Sequence, residues 1–280
     1  MSSPTRNTVA ASQGSPSLGE LVSPPPLAGQ SKLDRIAYVA AISSECLIAA
    51  LRPSSWRRPV RSRFSRQILF SGVESVSFTI FAGLLLGAIT TMKSTQILII
   101  TGELDFLAPL ICILFVREGA PFFALVITIC ASASAITSEV STMRLSGEVD
   151  LIESQGVNAI QFVILPRAVG LALTAAGLSL IFVTAAMLAA AATVILSGRI
   201  LAAPFIGSIL QSISFPDIVN LLGRSSIAAF LSGVLCCYEG LTVQGAAATM
   251  VPQAVTRAML GSIAITLIIS ALFAVTTYTS

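Results

Sequence analysis

Residues 168 to 198 run for 31 positions without a charged side chain. A bilayer-spanning helix needs roughly 20 consecutive apolar residues, so this run commits the chain either to a membrane or to a deeply buried helix. Further runs decide between the two. Gly119 to Ser138 and Ala258 to Ser280 also qualify, and Ser75 to Met92 falls just short but is extended by the apolar residues before Glu74. Charged residues make up 10% of the chain and mean hydropathy is +0.90, whereas about a quarter of an ordinary soluble domain is charged. The expected fold class is all-α: a polytopic membrane protein of about five transmembrane helices, with an N-terminal interfacial helix and a cytoplasmic helix between spans.

The N-terminal region divides by composition. Residues 1–31 are rich in Ser, Pro, Gly and Ala, include SPPPLAGQ, and lack the apolar core of a signal peptide; they read as a disordered cytoplasmic tail. A plastid transit peptide would also be Ser-rich, but this segment is short and carries Glu20. Residues 32–66 read as a basic amphipathic interfacial helix, because the pattern turns helical at Leu33 and six basic residues then fall between Arg52 and Arg66, with Trp56 and Phe64 among them. Such a cluster suits an anionic membrane surface. Nucleic acid is the competing partner for a basic, aromatic patch, but this patch abuts a span, so no nucleic acid is expected. Arginines beside the first span also place the N-terminus in the cytoplasm.

From that anchor the spans follow. The first is expected over about Ile68 to Met92, with Lys93 to Asp105 as a short outer loop, and the second over about Phe106 to Thr137, broken or kinked at Arg117-Glu118-Gly119-Ala120-Pro121 by its proline. The third begins after Pro166-Arg167 and runs to about Leu196; residues 199–217 form a second outer segment. The fourth and fifth cover about Ile218 to Leu241 and Ala254 to Thr277. Five spans leave the C-terminus outside. No internal repeat is visible.

Several chemistries are excluded or disfavoured. The chain has no histidine, and its five cysteines contain no CxxC pair, so neither a metal site nor a disulfide framework is expected. Lys32 and Lys93 are the only lysines and neither ends a GxxxxGK[ST] loop, so the chain is not a P-loop ATPase by itself. No nucleophile-base constellation emerges, which disfavours a membrane-embedded lipid enzyme.

TSEVSTMRLSGEVDLIESQG, residues 137–156, puts five charges between two apolar runs. On a helical wheel Leu145, Val149 and Ile152 share one sector and Glu139, Asp150 and Glu153 another. Arg144 and Glu148 are four apart and can pair, and Gly156 is placed to stop the helix. The bland reading is a solvated loop; the sharper one is a docking helix over about 138–156, supported by the two-faced pattern and by a length beyond what a simple connection needs. Arg117 and Glu118, inside a span, are either a neutralising pair that supports the broken helix at Gly119 and Pro121, or residues that line a cavity.

SEVSTMRLSGEVDLIESQGVNAIQFVILPR resembles the signature of the MlaE/YrbE permease family, the membrane subunits of ABC lipid transporters that work with MCE-domain proteins. The resemblance is carried by Glu139, Thr142, Met143, Arg144, Asp150, Glu153, Gly156, Val157, Ile160, Pro166 and Arg167. Arg117-Glu118-Gly119-Ala120-Pro121 resembles the family's R-E-x-G-P, Cys237-Tyr238-Glu239-Gly240-Leu241 its C-Y-Q-G-L, and Thr256-Arg257-Ala258 its T-R-A, in the same order over about residues 65 to 280. Ser141, Gly147, Asn158-Ala159, Thr242 and Gln244 depart from the pattern.

The resemblance implies that residues 67–280 form an MlaE-like permease domain without an ATPase site of its own. It implies a homodimer in the bacterial inner membrane, partnered by an ABC ATPase that carries ATP and Mg and by a periplasmic MCE-domain protein, moving phospholipids or related lipids. The 138–156 stretch would be the coupling helix, with Leu145, Val149 and Ile152 in a groove of the ATPase and Glu139, Arg144, Glu148, Asp150 and Glu153 about its rim. Arg117 and Glu118 would line the lipid cavity, while Glu239 and Arg257 read as interfacial. The rival is an ion-coupled transporter or channel with Arg117 and Glu118 in its ion path.

Overall fold

The computed structural model describes residues 32–51, 58–101, 106–156, 160–198, 202–243 and 250–279. The expected tail lies outside them, as do Arg52, Trp56 and Arg57 of the basic cluster. Among the described residues there are helices and no strands: α1 (Lys32–Leu51), α2 (Arg58–Thr101), α3 (Leu107–Cys112), the π-helix π1 (Ile113–Gly119), α4 (Ala120–Leu145), α5 (Glu148–Ser154), a second π-helix π2 (Ile160–Ile164), α6 (Leu165–Ser197), α7 (Ala202–Ser212), α8 (Phe215–Leu241) and α9 (Val251–Thr279). Among the described residues five segments are long and apolar enough to cross a membrane: Arg61–Ile100, Leu107–Leu145, Phe162–Ser197, Phe215–Leu241 and Val251–Thr277. The chain is an all-α, multi-pass membrane protein.

Four expectations about helix limits are corrected. Residues 32–66 divide between α1 and the first turns of α2. The outer loop expected at Lys93 is helix, since no Gly or Pro lies between Ala88 and Gly102 and Ser94, Thr95 and Leu98 are buried, so α2 continues to Thr101. The break expected at Pro121 is absorbed by the wider turn of π1, which runs directly into α4. Finally, residues 138–156 are not one helix. Gly147 adopts φ of 76°, a left-handed conformation that glycine enters without steric cost, and it separates the end of α4 from the short α5. Gly156, with φ of 75°, ends that segment as the sequence predicts.

α8 packs against α4, α6 and α9, while α2 lies chiefly along α6 and α1 rests against the end of α8. Lipid tails are as apolar as leucine, so helices in a bilayer associate through close packing and polar contacts. The α2–α6 seam is of this kind. A Cβ built on Gly87 would sit 2.5 Å from the Ala186 carbonyl oxygen, and one on Gly83 would sit 2.9 Å from the Ala185 Cβ. The outward side of α2 carries exposed Phe78, Phe81 and Leu85, an apolar surface suited to hydrocarbon.

Gly87→Ala is expected to lower the thermal unfolding midpoint in detergent, by overpacking worth about 1–3 kcal/mol. Gly177→Ala, with nothing within 4 Å of its Cβ position, is expected to leave the midpoint unchanged or slightly raised. An unchanged midpoint for Gly87→Ala would mean that α2 is not seated on α6.

Candidate functional site

The first polar site is organised by a helix start and a proline. Ser214 caps α8: its backbone N–H donates to Asp217 Oδ2 at 3.1 Å, and the Asp217 N–H donates to the Ser214 carbonyl at 3.0 Å, with Pro216 in the first turn. This capping box fixes Asp217 at the N-terminus of α8, where a carboxylate also meets the positive end of the helix dipole. Two turns later on the same face stands Arg224, 3% exposed. Pro121 has no amide hydrogen, so the carbonyl four residues earlier, that of Arg117, lacks its usual donor. Arg224 Nη1 supplies one at 2.9 Å.

The sequence pair Arg117-Glu118 is not a pair in space. Glu118 Oε2 accepts from Arg224 Nη1 and Nη2, both at 3.0 Å, and Arg117 Nε lies 2.9 Å from Asp217 Oδ1. The second contact is the looser one. Arg117 Nη2 donates to Asp217 Oδ2 in a long hydrogen bond of 3.5 Å, while the nearer Nε makes none, so much of the pairing is charge attraction.

Beside these pairs lies a cavity of about 570 Å³, reached by Thr90 of α2, Glu118 and Gly119 of π1, Phe123 of α4, Arg224 of α8 and Ser270 of α9, with apolar side chains over most of its wall. Phe123 stacks on Phe182 of α6 with ring centroids 5.6 Å apart. Glu118 faces this space; Arg117 does not line it. Gly119 is required by the π turn, since a Cβ there would come within 2.7 Å of the Leu114 carbonyl oxygen. Such a cavity can hold an amphiphile, its tails on the apolar wall and its polar end at Glu118.

At the opposite end of α4 the candidate coupling residues separate into two groups. Glu139 pairs with buried Arg167 at 2.8 Å, and Arg167 also donates to the Val163 carbonyl at 3.0 Å. Arg144 pairs with Asp150, six residues on, rather than with Glu148, because the turn at Gly147 rotates α5 away from the α4 axis. The expected apolar strip is split by the same turn. Val149 is fully buried in the chain's own core and Ile152 packs against it, whereas Leu145 and Leu151 are exposed at 38% and 60%. Glu148 and Asp150 are exposed. Burial pushes the Glu153 carboxyl up, with Arg144 pulling it down and Asp150 adding a smaller upward push.

Glu239, which the sequence places at an interface, is 1% exposed. It pairs with Arg35 of α1 and lies 3.8 Å from Arg257 of α9, so one buried carboxylate joins three helices. Arg35 was not singled out from sequence; its signal is the register of α1, which puts Arg35, Ile42, Cys46 and Ala49 along the inward side. Cys46, on the inward face of α1, is completely buried and its thiol is pushed up to about 12, first by burial and then by Glu45.

A raised thiol stays protonated and unreactive at pH 8 and recovers an ordinary pKa once α1 lifts away. In a Cys130→Ser background, Glu239→Gln is therefore expected to speed maleimide labelling of Cys46 by roughly tenfold or more, read by mass spectrometry of peptides. Equal labelling in both proteins would show that Glu239 does not hold α1.

Comparison with known proteins agrees with this architecture. The sequence model of the permease MlaE family matches residues 64–276. A probable ABC transporter permease protein of Pyropia yezoensis is 25% identical over 181 residues, covering 65% of this chain and 69% of that one. One of Rickettsia typhi is 23% identical over 201 residues, covering 72% and 77% respectively, and one of Synechocystis is 24% identical over 186 residues, covering 65% and 69%. The family match takes in all five membrane-length helices, both ends of α4 and the two pairs around π1, and on it this chain belongs to the MlaE permease family.

Proposed function

We propose that the chain is the membrane subunit of an ABC transporter that moves phospholipids or related lipids between a bacterial inner membrane and a periplasmic MCE-domain partner, acting as a homodimer with a separate ATPase. The observation that carries this reading is the pocket at Glu118: an open-sided, mostly apolar space of about 570 Å³ with Glu118 and Arg224 in its wall, suited to a molecule with long tails and a polar head. The family membership and the permease names of the relatives support the coupling to ATP, which with Mg would be held and hydrolysed by the partner chain. Arg61, Arg63 and Arg66 at the start of α2 stand at the same end as α5, consistent with that end and the N-terminus facing the cytoplasm.

The surface offered to the ATPase differs from the strip first expected. Val149 belongs to the core of this chain, so the exposed Leu145 and Leu151, with Glu148 and Asp150 beside them, form the docking face. Apolar anchors ringed by charge suit a groove with basic rims.

The test is a pull-down of tagged protein in mild detergent, comparing wild type with a Leu145→Asp, Leu151→Asp variant. Wild type is expected to retain an ATPase whose activity appears in the eluate, and the variant, unchanged in thermal midpoint, to lose at least nine-tenths of it, since interfacial anchors are typically worth about 2 kcal/mol or more. Folded wild type that retains no ATPase would remove the coupling claim.

A further inference from the structure

The two ionised groups of the cavity offer very different things to a ligand. The Arg224 side chain is 4% exposed, and four of its five N–H donors are engaged: Nε with Ser270 Oγ at 3.2 Å, Nη1 with the Arg117 carbonyl at 2.9 Å and with Glu118 Oε2 at 3.0 Å, and Nη2 with the same Oε2 at 3.0 Å. The Glu118 side chain is 36% exposed, and both bonds it accepts from Arg224 fall on Oε2. Among the described residues no donor reaches Oε1. A guanidinium in an apolar cavity suggests a receptor for phosphate, but here the guanidinium is buried with four of its five N–H groups engaged, and the accessible valence is an acceptor.

We propose that Glu118 Oε1 is the headgroup acceptor of this cavity and selects amphiphiles whose headgroup carries an N–H-donating ammonium, a primary-amine phospholipid being the matching class. This rests on the lipid reading above and deepens it. A primary ammonium brings both charge and donors, so it can form a charge-assisted hydrogen bond with the free carboxylate oxygen while Arg224 keeps the other. An anionic headgroup would meet a guanidinium that is 4% exposed behind Glu118, and pairing fully with it would displace Glu118 and leave a carboxylate unpaired beside apolar walls. A quaternary ammonium carries the charge without a donor; it could use only the faces of Phe122 and Phe123. The Arg117–Asp217 pair is self-neutralised, so it adds little net charge to either comparison.

The experiment is native mass spectrometry of the full chain in detergent, titrated separately with phosphatidylethanolamine, phosphatidylglycerol and phosphatidylcholine of identical acyl chains. Phosphatidylethanolamine is expected to bind about tenfold more tightly than either of the others, the scale of one hydrogen bond to a charged group. Glu118→Gln should remove that preference, and Glu118→Asp should restore part of it. Because Glu118→Gln leaves Arg224 without its counter-charge, a Glu118→Gln, Arg224→Met double variant that removes both members is titrated alongside and is also expected to show no preference.

Each other outcome overturns the assignment. Preferred binding of phosphatidylglycerol would make Arg224 the receptor, and preferred binding of phosphatidylcholine would make it the aromatic faces. Equal binding of the three lipids would remove headgroup selection while leaving lipid transport intact. Failure of the wild type to bind any of them would remove both readings together.

Discussion

Moving a guanidinium or a carboxylate from water into a low-dielectric interior costs several kcal/mol for each ion, and an opposite charge at hydrogen-bond distance offsets that cost only when the geometry is good. This requirement organises the bundle. Glu118 meets Arg224, Arg117 meets Asp217, Glu139 meets Arg167, and Glu239 meets Arg35 and Arg257. Each pair joins different helical segments, so the charges tie α4 and its π extension to α8 and α6, and tie α1 and α9 to α8. In hydrocarbon, where apolar burial between helices gives little net driving force, such pairs fix which helix faces which. Arg224 does more than neutralise Glu118. It also supplies the hydrogen bond that Pro121 denies to the Arg117 carbonyl, so the proline, the π turn and the buried arginine form one local solution.

The fold class and the number of spans were legible because long uncharged runs have few alternatives in water or in lipid. Helix limits were less so. Pro121 reads as a break, since a proline removes one backbone donor; the sequence does not say that the side chain of the tenth residue of another span replaces it. Gly147 reads only as a departure from the family pattern, and the backbone conformation turns it into a corner. The signal that would have located Asp217 was present in Ser214-Phe215-Pro216-Asp217, a helix-start pattern, and a heptad step from Asp217 to Arg224 puts both on one face. Pairing those two with Arg117 and Glu118 needs the tertiary arrangement, because adjacent residues on one segment meet partners two turns apart on another.

Residues 137–156 show a different limit. Their hydrophobic pattern is real, but amphipathicity identifies only that a face will be buried, not what buries it. Val149 and Ile152 turn toward α4 and the neighbouring core of the same chain, which anchors α5 to the body of the bundle. Leu145 and Leu151 are left outward. An anchored segment with a small exposed apolar face transmits displacement better than a free helix would, because its inner residues move with the bundle and its outer residues with whatever docks there.

That arrangement bears on the choice between an ATP-driven permease and an ion path. Leu107 to Leu145 is a continuous helical rod with π1 and the cavity toward one end and the Gly147 corner at the other. With an ATPase docked on α5 as proposed, a push there would meet Glu139 and its partner Arg167 first and then α4, whose far end leads to the segment that presents Glu118. An ion path through Arg117 and Glu118 would ask these residues to bind and release a mobile charge, yet each already faces a fixed counter-charge on α8, and Arg224 additionally closes a backbone carbonyl. The pairs are therefore better suited to holding the wall of a chamber in register while a helix moves than to passing charge along it.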